Sequence, residues 1–302
     1  MISQSAKGYL CAMISGISFG MNGLFTLPLY ERGMSVPMVL LCRFSLGSIL
    51  IACVMAATGK SFRISGKQLL HAAGLGILFS MTSFLFFLGL SKMDAGLVTT
   101  AGFIYPAIVA LIMFLFFRER LGLVSWGALL ISLLGVALLY EGNGSFSAAG
   151  LTYAMLSALS YALFIVGLKF SPLQQLSSES LTFYQMLLSL PCFLIMTLCN
   201  SNMQLPHDMI GWGCISGLAV FPACCSILFM SLALRYVGPT KTSILTAIEP
   251  LTAIFFGVLL FDETLTLKQI IGVAVILFSV TLVVAGKNLS FSRPKIENQK
   301  KN

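Results

Sequence analysis

Apolar runs long enough to cross a membrane recur from one end of this 302-residue chain to the other. A helix needs about 20 apolar residues to traverse about 30 Å of hydrocarbon. Ten runs qualify: 8–29, 36–57, 68–91, 95–117, 124–141, 149–169, 180–200, 209–234, 240–261 and 267–286. Short polar breaks separate them, such as Tyr30-Glu31-Arg32-Gly33 and Arg118-Glu119-Arg120. Only 9% of the residues are charged, against roughly 25% in an ordinary soluble domain. Lipid is the solvent that accepts such a surface, and it admits only segments whose backbone bonds are satisfied internally. The expected fold is therefore an all-α membrane protein of ten transmembrane helices. Too little chain remains for a soluble domain.

Charge placement predicts orientation. With the N-terminus in the cytoplasm, the cytoplasmic segments hold Lys7, Lys60, Arg63, Lys67, Arg118, Arg120, Lys169, Arg235, Lys241 and the basic tail from Lys287 onward. The opposite side holds only Arg32, Lys92 and Lys268. That bias is the positive-inside pattern. It predicts a multi-pass protein of an inner, cytoplasmic membrane with both termini in the cytoplasm. The first run is too long for a signal-peptide core and lacks an A-x-A site, so it is expected to stay as a spanning helix. The basic tail, 287–302, is expected to lie near anionic lipid, with no nucleic-acid role.

The chain also matches itself. Shifted by 144 positions, residues 88–139 fall without gaps on 232–283, so that Pro106 meets Pro250, Phe117 meets Phe261 and Glu119 meets Glu263. At an offset of 142, Ser15 meets Ser157, Ser18-Phe19 meets Ser160-Tyr161, and Arg43 meets Gln185. A shared leucine means little in apolar sequence, whereas a proline and a glutamate at matched places are informative. The domains expected are thus a cytoplasmic N-terminus (1–7), a five-helix repeat (8–141), a second five-helix repeat (149–286) and the tail (287–302). Five is odd, so the second copy must enter the membrane from the other side. Inverted repeats are a common plan of secondary transporters, because two half-structures of opposite orientation can exchange conformations.

Tyr105-Pro106 through Phe117-Arg118-Glu119-Arg120-Leu121, and Glu249-Pro250 through Phe261-Asp262-Glu263-Thr264-Leu265, carry a resemblance. Over about residues 8–286 the chain resembles the EamA-type branch of the drug/metabolite transporter superfamily. The resemblance implies a carrier of small polar metabolites such as amino acids, with efflux the commoner direction and uptake or exchange the alternative. It implies a central cavity lined mainly by helices 1, 3, 4, 6, 8 and 9, and no cofactor. The sequence has no GxxxxGK[ST] for a nucleotide.

Residues that could carry chemistry are few. Glu249 lies well inside the ninth run, where a charge costs at least about 2.5–3.5 kcal/mol unless it faces a cavity, finds a cation or takes a proton. Such an acid suits coupling to protons or binding of a cationic solute, and an acid hydrogen-bonded beside Pro250 is the structural alternative. Arg43 is the one basic residue deep in a run, fit to hold a carboxylate or phosphate of the solute or to pair with Glu249. Asn22 and Tyr161, with Tyr105 as the repeat partner of Glu249, are candidate cavity contacts. Pro106 and Pro250 each remove a helix hydrogen bond, freeing the carbonyls of Gly102 and Thr246 and predicting a kink. The serines of the first and sixth runs read as helix-packing residues, Glu119 and Glu263 as helix-end anchors, and the phenylalanines of the third and fourth runs as lipid-facing bulk, with lining of a cavity for a flat or aromatic solute as the alternative. The cysteines form no CxxC and the two histidines, His71 and His207, lie near run ends. A metal site is not expected, and a membrane-embedded enzyme or a non-transporting structural protein is a remote alternative.

Overall fold

The structure is a computed structural model describing residues 4–118, 123–139, 147–200, 203–246 and 248–291. Among the described residues it is entirely helical. The helices are α1 (Gln4–Gly20), α2 (Asn22–Glu31), α3 (Val36–Ala57), α4 (Gly66–Leu90), α5 (Ala95–Gly102), α6 (Tyr105–Phe117), α7 (Leu123–Leu139), α8 (Ala148–Lys169), α9 (Ser178–Asn200), α10 (Met209–Leu218), α11 (Ser226–Leu245), α12 (Ile248–Leu260) and α13 (Leu267–Phe291). A π-helical segment, Ala219–Cys225, joins α10 to α11.

Seven helical stretches are long and apolar enough to cross a membrane: Gln4–Glu31, Val36–Ala57, Gly66–Leu90, Ala95–Phe117, Ala148–Lys169, Ser178–Asn200 and Met209–Val237. Ile248–Leu260 and Leu267–Ser279 are shorter apolar helices, and α7 occupies the fifth expected run. Polar side chains are buried alongside the apolar core, and many large apolar ones lie on the surface. Ser15, Asn22, Thr26 and Arg43 are buried, while Leu70, Phe116, Met209 and Leu259 are exposed. Only a lipid solvent makes that arrangement favourable.

Several runs expected as single helices are broken. The first divides at Met21, the fourth at Phe103–Ile104, and the eighth passes through the π segment around Pro222. Pro106 and Pro250 stand in the first turns of α6 and α12, where a missing N–H is tolerated. They restart helices rather than kink continuous ones. A further correction concerns the ninth run. Its first part belongs to α11, which continues through 235–239, where a loop was expected. Charge marks where a helix meets the membrane edge, not where it ends, and Arg235 rides on α11 with Nη2 donating to the Leu176 carbonyl at 3.2 Å.

Several helix contacts come in matched pairs. α1 lies along α11 as α8 lies along α4, α1 touches α12 as α8 touches α6, and α3 meets α9 as α7 meets α13. Single bonds follow suit. Ser15 Oγ donates to the Ser226 carbonyl at 2.8 Å, and Ser157 Oγ donates to the Thr82 carbonyl at 2.8 Å. Those pairs correspond residue for residue at the offsets of 142 and 144. The two non-glycine residues with left-handed backbone, Arg118 (φ 53°) and Asp262 (φ 52°), also stand 144 positions apart. Glu119 and the tail from 292 lie outside the described residues.

Candidate functional site

The two broken helices bring their second halves together. Tyr105 opens α6 and Glu249 is the second residue of α12. The hydroxyl of Tyr105 shares a side-chain hydrogen bond with Thr246, in the turn just before α12, and Glu249 is close enough to Tyr105 and Tyr161 to interact with both. Tyr161, from α8, meets Tyr105 edge to face with ring centroids 4.8 Å apart. Glu249 stands in the first turn of α12, the end of the helix whose backbone N–H groups lack intrahelical partners. Its backbone N–H donates to the Thr246 carbonyl at 2.9 Å, so part of what Pro250 frees is recaptured locally.

Arg43 builds a second group. It is 4% exposed. Nη1 donates to Asn22 Oδ1 at 2.9 Å and Nη2 to the Pro222 carbonyl at 3.2 Å. Its guanidinium lies over Phe87 and Phe44, 5.1 and 5.5 Å from their centroids. Asn22 in turn donates to the Phe19 carbonyl at 2.8 Å across the Met21 break. Arg43 therefore ties the break between α1 and α2 to the π segment after α10, the two places where backbone carbonyls are loosened. Its partners are neutral, and its Nε is buried with no hydrogen-bond partner. A desolvated cation without a nearby acid is costly.

So the expected site residues fall into two groups: Glu249, Tyr105 and Tyr161 in one, Arg43 and Asn22 in the other. The partners found for Arg43 do not include Glu249. The groups are joined by rings. From Tyr161 a chain of aromatic contacts runs to Phe164 (6.0 Å), Phe79 (5.3 Å) and Phe44 (5.8 Å), which lies beneath Arg43. Phe79, Phe86, Phe87 and Phe103 are buried, so these side chains line the interior rather than face lipid as expected. Sequence reasoning missed the role of the Pro222 carbonyl and of Phe164. Pro222 inside an apolar run was the available signal for the first, and only three-dimensional packing reveals the second. No group of three or more His, Cys, Asp or Glu among the described residues could hold a metal.

Comparison with known proteins bears on the chain as a whole. The EamA-like transporter family matches residues 6–141 and again 148–285. An uncharacterized transporter of Archaeoglobus fulgidus is 32% identical over 168 residues, which are 54% of this chain and 58% of that protein's length. An uncharacterized transporter of Bacillus subtilis is 22% identical over 93% of this chain and 90% of its own. A solved crystal structure at 16% identity superposes with a TM-score of 0.68, covering 93% of this chain and 98% of its own, a likeness of fold alone.

Proposed function

We propose, from the premise that this chain belongs to the EamA-like transporter family, that it is a secondary transporter moving a small polar metabolite by alternating access between two inverted five-helix repeats. Export is the proposed direction and a proton the proposed coupling ion. The observation that carries this reading is the meeting of two discontinuous helices, α5–α6 and α11–α12, whose inner helix starts lie together at Tyr105 and Glu249. Interrupted helices at a repeat interface are where carriers bind solutes, because unwound backbone is tolerated in a membrane only where it lines protein or water. The paired helix contacts and the matched serine bonds support two equivalent halves, and the doubled family match supports a two-repeat chain.

The solute class follows from Arg43 and Glu249. A buried guanidinium held only by neutral acceptors suits a solute with a carboxylate, and an acid across the aromatic seam suits one that also carries a positive charge. Amino acids and related zwitterions have both. The test is counterflow in proteoliposomes with pooled labelled amino acids, nucleosides, nucleotides and amines, comparing the wild type with Glu249→Gln under a pH gradient. We expect amino-acid-like solutes to accumulate, and the variant to keep exchange while losing its response to the gradient. Loss of exchange as well would make Glu249 a solute contact. No movement of any solute by folded protein would overturn the reading.

A further inference from the structure

At the end of the molecule where α2, α4 and α12 finish, a cleft of about 590 Å³ is lined by Tyr30, Glu31, Lys92, Asp94 and Glu263, among others. On the charge-derived topology this is the outer mouth. Glu263 closes its floor. Asp262, in the left-handed conformation, turns the chain after α12, so that the Glu263 side chain folds back over its own helix. Its Oε1 accepts from the Ala95 N–H at 2.7 Å and its Oε2 from the Gly96 N–H at 3.4 Å. A loop after α12 thereby caps the start of α5, across 168 residues of sequence.

The carboxylate has this seat because residue 257 is glycine. A Cβ there would fall on the carboxylate itself. Close packing surrounds the seat. A Cβ at Gly96 would meet Ile254 Cγ1 at 2.6 Å, and one at Gly23 would meet Ala95 Cβ at 2.6 Å. At these points α2 lies against the start of α5, and α5 against α12.

The sequence does not repeat the full set of clamp residues. The offset of 144 carries Glu263 onto Glu119, the donor Ala95 onto Pro239, and Gly257 onto Met113. Proline has no N–H to give, and the buried Met113 stands in sequence where the clamp has its glycine. The two glutamates that mark the repeat are thus unequal in sequence context.

We propose that Glu263 is the latch of the outer gate, that Glu119 has no such role, and that the carrier therefore rests with its outer mouth closed. This rests on the alternating-access reading above. Losing the latch shifts the balance toward the open mouth by about tenfold, the usual weight of one or two hydrogen bonds to a carboxyl oxygen.

The test reads access rather than transport. Thr99, buried one turn beyond the capped end of α5, is changed to cysteine in the full chain. Right-side-out vesicles are then treated with a membrane-impermeant maleimide, and labelling at position 99 is followed by peptide-resolved mass spectrometry. We expect Glu263→Ala to label about tenfold faster than its parent. Gly257→Ala, which displaces the carboxylate but keeps it, should do the same and serves if Glu263→Ala does not fold. Glu263→Gln, which retains an acceptor for Ala95, should stay within about threefold of the parent. Glu119→Ala should leave the rate alone. Labelling of both Glu263→Ala and Gly257→Ala at the parent rate overturns the latch, and an equal gain from Glu119→Ala overturns its asymmetry. Counterflow on the same vesicles separates the two ideas: transport with unchanged labelling sinks the latch alone, and faster labelling without transport sinks the carrier alone.

Discussion

At the scale of single residues, Arg43 poses a sharp energetic question. Its two hydrogen bonds go to neutral oxygens, its Nε has none, and no carboxylate is among its partners. Replacing a buried ion by a well-packed apolar side chain is often neutral or stabilising by about 1–4 kcal/mol. The exchange here strands Asn22 Oδ1 and the Pro222 carbonyl, which works against the gain. Arg43→Met is therefore expected to hold or raise the thermal midpoint in detergent while lowering amino-acid counterflow at least tenfold. A fall in both would make Arg43 a structural tie between the helix breaks. On the outer face, Arg32 and Asp208 form a bidentate pair, with Nη2 to Oδ2 at 2.7 Å. The hydrogen bond from Arg32 is the main reason the Asp208 carboxyl is held below its ordinary range. Asp208 also caps α10, accepting from the Gly211 N–H at 3.0 Å. The contribution of this carboxylate is present above the ordinary carboxylate pKa and is lost as pH falls through the lowered value.

At the scale of elements, glycines decide how closely the helices approach. A Cβ on Gly20 would lie 2.6 Å from the Glu249 carbonyl and 2.6 Å from Thr252 Cβ, both on α12, whereas Gly74 on α4 has open space around it. Overpacking against backbone costs about 1–3 kcal/mol, while alanine in an unobstructed helix interior gains up to about 1 kcal/mol over glycine. Gly20→Ala should thus lower the thermal midpoint and Gly74→Ala should leave it or raise it slightly. Equal effects would mean that α1 and α12 are not in the tight register described. The same contrast shows what sequence can reveal. Hydropathy located the helices because each must satisfy lipid on its own, and a repeated proline and glutamate exposed the self-match. Hydropathy does not see a helix restart inside an apolar run, so the breaks at Met21 and Phe103–Ile104 and the π segment at Pro222 were invisible as breaks. Nor does it give partners. Arg43 and Asn22 were each singled out, but their bond depends on how α3 crosses the α1–α2 junction. Phenylalanines read as lipid-facing turned inward because a period of 3.6 places residues on a face without saying which face is buried.

At the scale of the whole molecule, an unequal pair of gates predicts how the closed and open forms respond to pH. Burial is the chief reason that the Glu263 carboxyl is pushed up to about 7. Asp94 pushes the same way, against the bonds from Ala95 and Gly96. With the mouth open and the side chain in water, the carboxyl returns to its ordinary value of about 4.3. The closed form then binds the proton more tightly than the open form. By linkage, acid favours closure, and closure is progressively lost as pH rises from about 4.3 through about 7, with little further change above. The other groups facing the cleft are Glu31 and Tyr30 from α2, Asp94 and Lys92 before α5, and Asp262 beside Glu263. Three of these carry carboxyl groups, and Lys92 is of opposite charge. Labelling at position 99 should accordingly rise at least tenfold as external pH is raised from about 5 to about 8, and Glu263→Gln should flatten most of that rise. If labelling falls with rising pH instead, the ionised carboxylate is the stronger latch, and the bonds from Ala95 and Gly96 outweigh its desolvation. A profile that is steep in the wild type and equally steep in Glu263→Gln would assign the response to the surrounding acids and leave Glu263 as a neutral clasp.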